Sequence, residues 1–108
     1  MTTIALRDAQ LALASSGSTF ITSLRHGTLE VELYQPDGVD LQTPHTRDEL
    51  YVVATGTGEF ICAEAQNPVQ PGDVLFAAAG VEHRFVRFST DFCVWVFFYG
   101  PEGGESAG

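Results

Sequence analysis

The stretch PHTRDELYVVATG, residues 44–56, decides the fold of this chain and carries most of its chemistry. It places an imidazole, His45, four residues before a carboxylate, Glu49, and then runs into an apolar segment. On a straight strand, which rises about 3.3 Å per residue, these two side chains would lie about 13 Å apart, too far to share one metal ion. The chain is therefore predicted to turn at residues 46–48 and then to form a strand in which Tyr51 shares the inward face of Glu49.

A second stretch, PGDVLFAAAGVEH, ends in another histidine, His83, directly after a turn. A strand that opens at His83 would hold the ring rigidly, with Arg87 facing the same way. Imidazole nitrogen and carboxylate oxygen are good ligands for divalent first-row metals, so His45, Glu49 and His83 are predicted to converge on one metal ion. Taken alone, a histidine at a strand end is more often a surface or capped residue, and His26, in a turn without an acidic neighbour, is left out of the site.

The rest of the chain has the pattern of a short helix followed by many short strands. Residues 3–14 lack Gly and Pro and are predicted to form a helix. This helix is expected to bury Ile4 and Leu11 against the end of a β-barrel formed by the rest of the chain. The predicted strands cover residues 20–24, 28–34, 50–54, 59–65, 74–77, 83–88 and 92–99, and residues 66–70 are predicted as a loop. In the strand over 28–34, Glu30 and Glu32 alternate with apolar residues, which indicates one buried face and one wet face. Short strands at even spacing are typical of an all-β sandwich or barrel.

Size and charge exclude several classes of function. The chain has 108 residues, enough for one ordinary domain. It has five basic residues, all Arg, against 14 Asp and Glu, which gives a net charge of −9. Such a charge repels phosphate backbones and anionic lipids, so neither nucleic acid nor a membrane is expected as a partner. The absence of Lys excludes Schiff-base chemistry and a P-loop.

The two cysteines, Cys62 and Cys93, lie inside apolar, strand-like runs. Buried free thiols are the expected state, although the sequence leaves a disulfide between them open. Neither has a basic neighbour that would lower its pKa, so a thiolate nucleophile is not expected. No N-terminal segment has the pattern of a signal peptide, and the longest apolar run, residues 92–99, is too short to span a bilayer. A cytoplasmic location is predicted.

The two histidine-containing stretches together resemble the motifs of the cupin family over roughly residues 20–100. The first cupin motif has a Gly, a His-x-His pair, a Glu and a further Gly; those places are taken here by Gly38, residues 43–45, Glu49 and Gly56. The second motif has a Gly, Pro-x-Gly, a His and an Asn, and those places are taken by Gly72, residues 78–80, His83 and Arg87. This chain departs from the pattern at Thr43, Ala78 and Arg87, where the family has His, Pro and Asn.

The resemblance implies a jelly-roll β-barrel over residues 18–100, between an N-terminal helical segment (1–17) and a flexible C-terminal tail (101–108). It also implies a divalent metal ion (Fe, Zn, Ni, Mn or Cu) held by His45, Glu49 and His83. Because Thr43 replaces the first histidine, a fourth ligand is missing, and the neighbouring Gln42 could supply an amide oxygen instead.

Two His and one carboxylate with open positions resemble the facial triad of non-haem iron oxygenases. The first hypothesis is a metal-dependent enzyme, of dioxygenase or other oxidoreductase type, that acts on a small organic molecule; isomerase or lyase chemistry follows. Tyr51 and Arg87 are the candidates for hydrogen bonding to substrate. The second hypothesis is a ligand-binding or sensory module without turnover. By analogy with the family, a homodimer is expected.

Overall fold

Two antiparallel sheets form the body of the molecule in the computed structural model, which describes residues 3–106. The elements are α1 (Leu6–Ser16), β1 (Phe20–His26), β2 (Leu29–Tyr34), β3 (Asp48–Thr55), β4 (Gly58–Cys62), β5 (Ala65–Val69), β6 (Val74–Ala77), β7 (His83–Val86) and β8 (Cys93–Tyr99). The larger sheet has the order β1-β2-β8-β3-β6, and the smaller has the order β5-β4-β7. The prediction of an all-β fold with one short N-terminal helix is therefore confirmed.

The main core lies between the two sheets. Tyr51 and Val53 of β3 meet Phe60 of β4 and Phe85 of β7, and none of these four is more than 5% exposed. The aromatic rings contact one another, with Tyr51 and Phe85 edge to face at 5.1 Å between centroids. Because β3 lies in the larger sheet and β7 in the smaller, this aromatic packing fixes the separation of the two strands that also carry the candidate ligands.

Helix α1 covers the outer face of the larger sheet, not the end of the barrel as predicted. Its Ala9 and Leu13 are buried against Leu33 of β2 and Cys93 of β8. Leu11 is 60% exposed, so the prediction that it packs inward is wrong. The helix ends where Gly17 takes a left-handed conformation with φ of 70°. Residues 1–2 of the predicted helical segment lie outside the described residues.

Strand β2 turns its charged face toward the interior. Leu33 is fully buried beneath α1, and the opposite face carries Glu30 and Glu32. Glu32 lies directly opposite Val96 of β8, which is 3% exposed and belongs to the main core. Opposed residues of an antiparallel pair point to the same face. The predicted wet face of this strand therefore lines the inside of the barrel near its mouth.

Strand β5 replaces the loop predicted over residues 66–70, and β4 ends at Cys62 rather than at residue 65. Four of the five residues of β5 are exposed, and Pro68 stands opposite Glu59. The strand lies at the edge of its sheet, where a Pro without an N–H is tolerated. Its residues follow no apolar alternation, so the sequence carried no strand signal.

The segment predicted as a flexible tail is tied to the chain that leads into β3, over the part that the structure describes. The backbone N–H of Gly103 donates to Thr46 O at 2.7 Å. The N–H of Glu105 donates to Asp48 Oδ2 at 2.8 Å, and the N–H of Ala79 donates to Oδ1 of the same carboxylate at 2.9 Å. The hydrogen bonds from Glu105 and Ala79 lower the pKa of Asp48. Residues 107–108 of the predicted tail lie outside the described residues.

Both cysteines are free. Burial, and then the charge of Glu49, raises the pKa of Cys62. Burial raises the pKa of Cys93 to about 11. Both thiols are therefore protonated at neutral pH, which argues against a thiolate nucleophile. Within residues 3–106, no helix is long and apolar enough to cross a membrane.

Replacing Gly56 with Ala is expected to lower the free energy of unfolding by about 2–4 kcal/mol, because strain and overpacking add. Gly56 has φ of +76°, and a Cβ there would lie 2.6 Å from Phe92 Cα. Gly27→Ala is the matched control, since Gly27 also has positive φ, at +59°, but nothing within 4 Å of its Cβ position. The Gly27→Ala substitution should lower the free energy of unfolding by about 1 kcal/mol. Urea unfolding of both variants measures the difference, and equal losses would show that the close approach to Phe92 is unimportant.

Candidate metal centre

The candidate ligands come from three separate segments that the fold brings together. His45 lies just before the bend that leads into β3, Glu49 lies on β3 itself, and His83 is the first residue of β7. One ligand atom from each of the three lies within 4.8 Å of the other two. The site therefore joins the larger sheet to the smaller one.

The bend before β3 is real and has a clear anchor. Residues 46–47 form a bend, as the distance argument requires. The N–H of Gly80, in the turn before β7, donates to His45 O at 2.7 Å. The imidazole of His45 packs edge to face on Phe98, with 4.9 Å between ring centroids. These two contacts hold the His45 ring over Glu49.

The three side chains leave buried polar atoms without hydrogen bonds. Glu49 is 0% exposed and His83 is 2% exposed. His83 Nε2 lies 2.6 Å from Glu49 Oε1, and His45 Nε2 lies 3.7 Å from the same oxygen. Among residues 3–106, His83 Nε2 and both carboxylate oxygens of Glu49 have no hydrogen-bond partner of good geometry, although the shorter contact is that of an ion pair when His83 is protonated. Leaving such atoms buried and unsatisfied costs about 1–3 kcal/mol each.

The other nitrogen of His83 fixes which atom faces the site. Nδ1 lies 2.9 Å from the carbonyl oxygen of Val81, which accepts a hydrogen bond from the Nδ1–H group. A neutral His83 therefore presents a lone pair from Nε2 to the carboxylate of Glu49. Burial lowers the pKa of His83, but the Glu49 carboxylate and the Val81 carbonyl outweigh it, so that the pKa is raised. The protein atoms alone thus attract positive charge to the space between His83 and Glu49.

This donor set fits a divalent metal ion. Ligand distances of about 2.0–2.2 Å are usual for nitrogen and oxygen on zinc, and the 3.7 Å between His45 Nε2 and Glu49 Oε1 matches two such bonds. A proton between His83 and Glu49 would satisfy one oxygen of the carboxylate. An ion bound by all three residues would give His83 Nε2, both carboxylate oxygens of Glu49 and the ring nitrogen of His45 a common partner.

Gln42 points its amide oxygen into the same space. Gln42 Oε1 lies 3.3 Å from His45 Nε2 and accepts a hydrogen bond from the hydroxyl of Tyr51 at 2.9 Å. Its amide nitrogen donates to Asp40 Oδ2 at 2.8 Å. Because an amide nitrogen cannot accept, the bond to Asp40 fixes which end of the amide faces the histidine. An amide oxygen therefore lies beside His45 Nε2.

Asp40 holds this arrangement, and the sequence did not single it out. The carboxylate is 7% exposed and accepts four hydrogen bonds. Oδ1 accepts from the Tyr34 hydroxyl at 2.6 Å and from the Gln42 N–H at 3.1 Å. Oδ2 accepts from the Gln42 amide and from the N–H of Phe85 on β7, each at 2.8 Å. The chain is strongly acidic, so nothing in the sequence distinguishes Asp40 from the other acidic residues as a buried hydrogen-bond acceptor.

Tyr51 lies within the site, whereas Arg87 does not. Burial, and then the charge of Glu49, raises the pKa of Tyr51, so its hydroxyl stays protonated and acts as a donor. The prediction that Arg87 faces the same way as His83 is wrong. β7 ends at Val86, and Arg87 has φ of 50°, which reverses the alternation. The Arg87 side chain is 78% exposed and lies 3.6 Å from Glu59.

A cavity of about 440 Å³ opens beside His45 and Gln42. Its walls carry apolar side chains and hydroxyl groups together with one carboxylate, that of Glu32. The other lining residues are Thr19, Phe20, Tyr34, Leu41, Thr43, Val96 and Phe98. A small organic molecule that fills this space would lie against His45 and Gln42.

Comparison with known proteins identifies the family. Residues 30–99 match the family model of the cupin domain, so this chain belongs to the cupin family. It is 32% identical over 99 residues to an uncharacterized protein of Streptomyces coelicolor, covering 90% of this chain and 94% of that protein. A cupin-2 domain containing protein from Shewanella frigidimarina has a similar structure, with a TM-score of 0.70 at 17% identity over 90% of this chain and 94% of that one.

A more distant similarity is to a structure described as that of DMSP lyases. The TM-score is 0.57 at 25% identity, over 71% of this chain and 41% of that one.

Proposed function

We propose that this chain is a metal-binding cupin in which His45, Glu49 and His83 hold one divalent ion. The observation that carries the proposal is that His45, Glu49 and His83 each bring one ligand atom to within 4.8 Å of the others, with Glu49 and His83 buried. A neutral His83 and an ionised Glu49 leave buried lone pairs that a divalent ion would satisfy. The amide oxygen of Gln42 is proposed as a further ligand, because Asp40 holds it toward His45.

We further propose that the protein is an enzyme of oxidoreductase type that acts on a small organic molecule. A set of two His and one carboxylate with open positions suits non-haem iron, which would supply oxygen chemistry when bound. The chain's own residues would bind and orient the substrate in the cavity beside His45, and the Tyr51 hydroxyl donates a hydrogen bond to Gln42 Oε1 that helps to orient that amide. The buried core beneath Glu49 excludes water from that side.

Substrate-dependent oxygen uptake tests this reaction class. Protein loaded with ferrous iron is placed in an oxygen electrode with small amines, alcohols and carboxylates in turn, and His83→Gln serves as the control. Uptake that requires both a substrate and the intact ligand set is the expected result. No uptake with any compound, from protein that retains its iron, would contradict the oxidoreductase proposal.

A lyase is the second candidate, and the similarity to the DMSP lyase structure favours it. In that case the ion would serve as a Lewis acid, and zinc would suffice. Turnover of a compound by the zinc-loaded protein without oxygen uptake distinguishes the lyase from the oxidoreductase. Ligand binding without any turnover would indicate the sensory module instead.

The homodimer stays a prediction. Val74 and Phe76 on the outer face of β6 are 64% and 50% exposed, and they offer the apolar surface that a second copy would bury. Light scattering that gives the mass of one chain across a wide concentration range would exclude the dimer.

A further inference from the structure

Glu32 places an acidic group inside the cavity that opens beside His45. Its position opposite Val96 puts the side chain on the interior face of β2, and the residue is half-buried. Phe20 and Phe98 line the same cavity, as do the hydroxyl-bearing residues Thr19 and Thr43. No Arg or His other than His45 lines it.

The carboxylate of Glu32 has no ion-pair partner among residues 3–106. Its neighbour on the strand, Glu30, differs, since Arg47 lies 3.0 Å from the Glu30 carboxylate. Arg25, on the adjacent strand β1, is exposed and opposite Glu30 rather than Glu32. The negative charge of Glu32 is therefore available to a ligand.

The electrostatic environment of Glu32 favours a cation. Burial, followed by the charges of Glu30 and Glu49, raises the pKa of Glu32, while Arg25 and Thr22 oppose the shift. Neighbouring carboxylates that raise a pKa create a negative potential at that point. A metal ion would offset the charge of Glu49, but Glu32 would still have no ion-pair partner among residues 3–106.

We propose that this cavity binds a small molecule that carries a protonated amine, with the ammonium group against Glu32 and the remainder directed toward His45. The proposal rests on the proposed function, since it names the class of substrate for the same site. An anionic ligand would bring like charge to Glu32, and no basic side chain on the walls would compensate it. The ring of Phe20 suits a cation better than an anion, because the face of an aromatic ring carries partial negative charge.

Three probes of the same shape test the charge preference: 3-methylbutylamine, 3-methylbutan-1-ol and 3-methylbutanoate. Binding is followed by NMR titration of the metal-free protein, because an amine or a carboxylate would also coordinate a metal. The amine is expected to bind about two- to fivefold more tightly than the alcohol, a ratio in the range of a partly exposed ion pair. The carboxylate should bind weakest. Glu32→Gln should bring the amine and the alcohol to equal affinity, and Glu32→Asp should keep most of the preference.

Glu64→Gln is the matched control, since Glu64 is exposed in the turn after β4 and the substitution makes the same change of net charge. It should leave the preference for the amine intact. Equal binding of the amine and the alcohol by the wild type, a preference that survives Glu32→Gln, or no binding of any probe would each overturn the proposal. Zinc affinity of Glu32→Gln, by equilibrium dialysis, is expected to match the wild type. A wild type that binds no zinc but prefers the amine would refute only the metal site.

Discussion

Replacing Glu49 with Gln is expected to lower the affinity for a divalent ion by at least about a hundredfold. Removing a residue that only hydrogen-bonds to a metal ligand typically lowers metal affinity by about 10–100-fold. Glu49 contacts both histidines and is the central ligand, so its replacement should have a larger effect. An amide offers one neutral oxygen in place of two charged ones. Equilibrium dialysis with zinc, and with ferrous iron under anaerobic conditions, measures the loss directly.

Thermal unfolding provides a second measurement of the same effect. A ligand at a hundred times its Kd adds about 2.7 kcal/mol to the stability of the folded state. In a domain of this size that corresponds to a rise in Tm of about 10–20 °C. The rise is expected for the wild type and not for Glu49→Gln.

His26, the histidine outside the candidate site, supplies the control. His83→Gln should lose zinc as Glu49→Gln does. His26→Gln, at the exposed end of β1, should retain wild-type affinity. Equal affinity in all three variants would mean that zinc binds elsewhere on this acidic chain.

Replacing Asp40 with Ala is expected to lower the free energy of unfolding by about 3–5 kcal/mol. The substitution leaves the Tyr34 hydroxyl, the N–H of Phe85 and both donors of Gln42 without an acceptor. The expected fall in Tm is at least about 12 °C. The amide of Gln42 is then free to rotate away from His45, so zinc affinity should also fall by about 10–100-fold.

Two companion variants separate the explanations for such a loss. Asp40→Asn keeps the shape and one accepting oxygen, and should fall between Asp40→Ala and the wild type. Asp37→Ala removes an exposed carboxylate three residues earlier and should change stability by less than about 0.5 kcal/mol. If Asp40→Ala is no less stable than Asp37→Ala, the four hydrogen bonds of Asp40 do not hold the site together.

The candidate ligands were accessible from the sequence through its resemblance to the cupin motifs, and spacing added the geometry of the chain between them. The distance between His45 and Glu49 along a strand required a bend, and the bend is present at residues 46–47. The turn before His83 was signalled by Gly80, which has φ of 78°. Alternation along β3 likewise placed Glu49 and Tyr51 on one buried face. These are local features, and local rules describe them well.

The features that the sequence did not give depend on contacts between distant segments. Asp40 reaches Phe85 across 45 residues, and nothing in the loop around Asp40 indicates that partner. The charged face of β2 was predicted to face solvent. Alternation distinguishes the two faces of a strand, but it does not show which of them a helix will cover. Arg87 was predicted to lie on a strand face because its left-handed backbone cannot be recognised from the sequence. A Gly at that position would have indicated it, but an Arg does not.

Anomalous X-ray diffraction from crystals of the zinc-loaded protein shows whether His45, Glu49 and His83 hold one ion. One strong anomalous peak is expected in each chain, within about 2.0–2.2 Å of His45 Nε2, His83 Nε2 and a carboxylate oxygen of Glu49. The oxygen of Gln42 should face the same peak. Crystals in which that space holds no peak, with His83 and Glu49 hydrogen-bonded directly to each other, would contradict the proposed metal site.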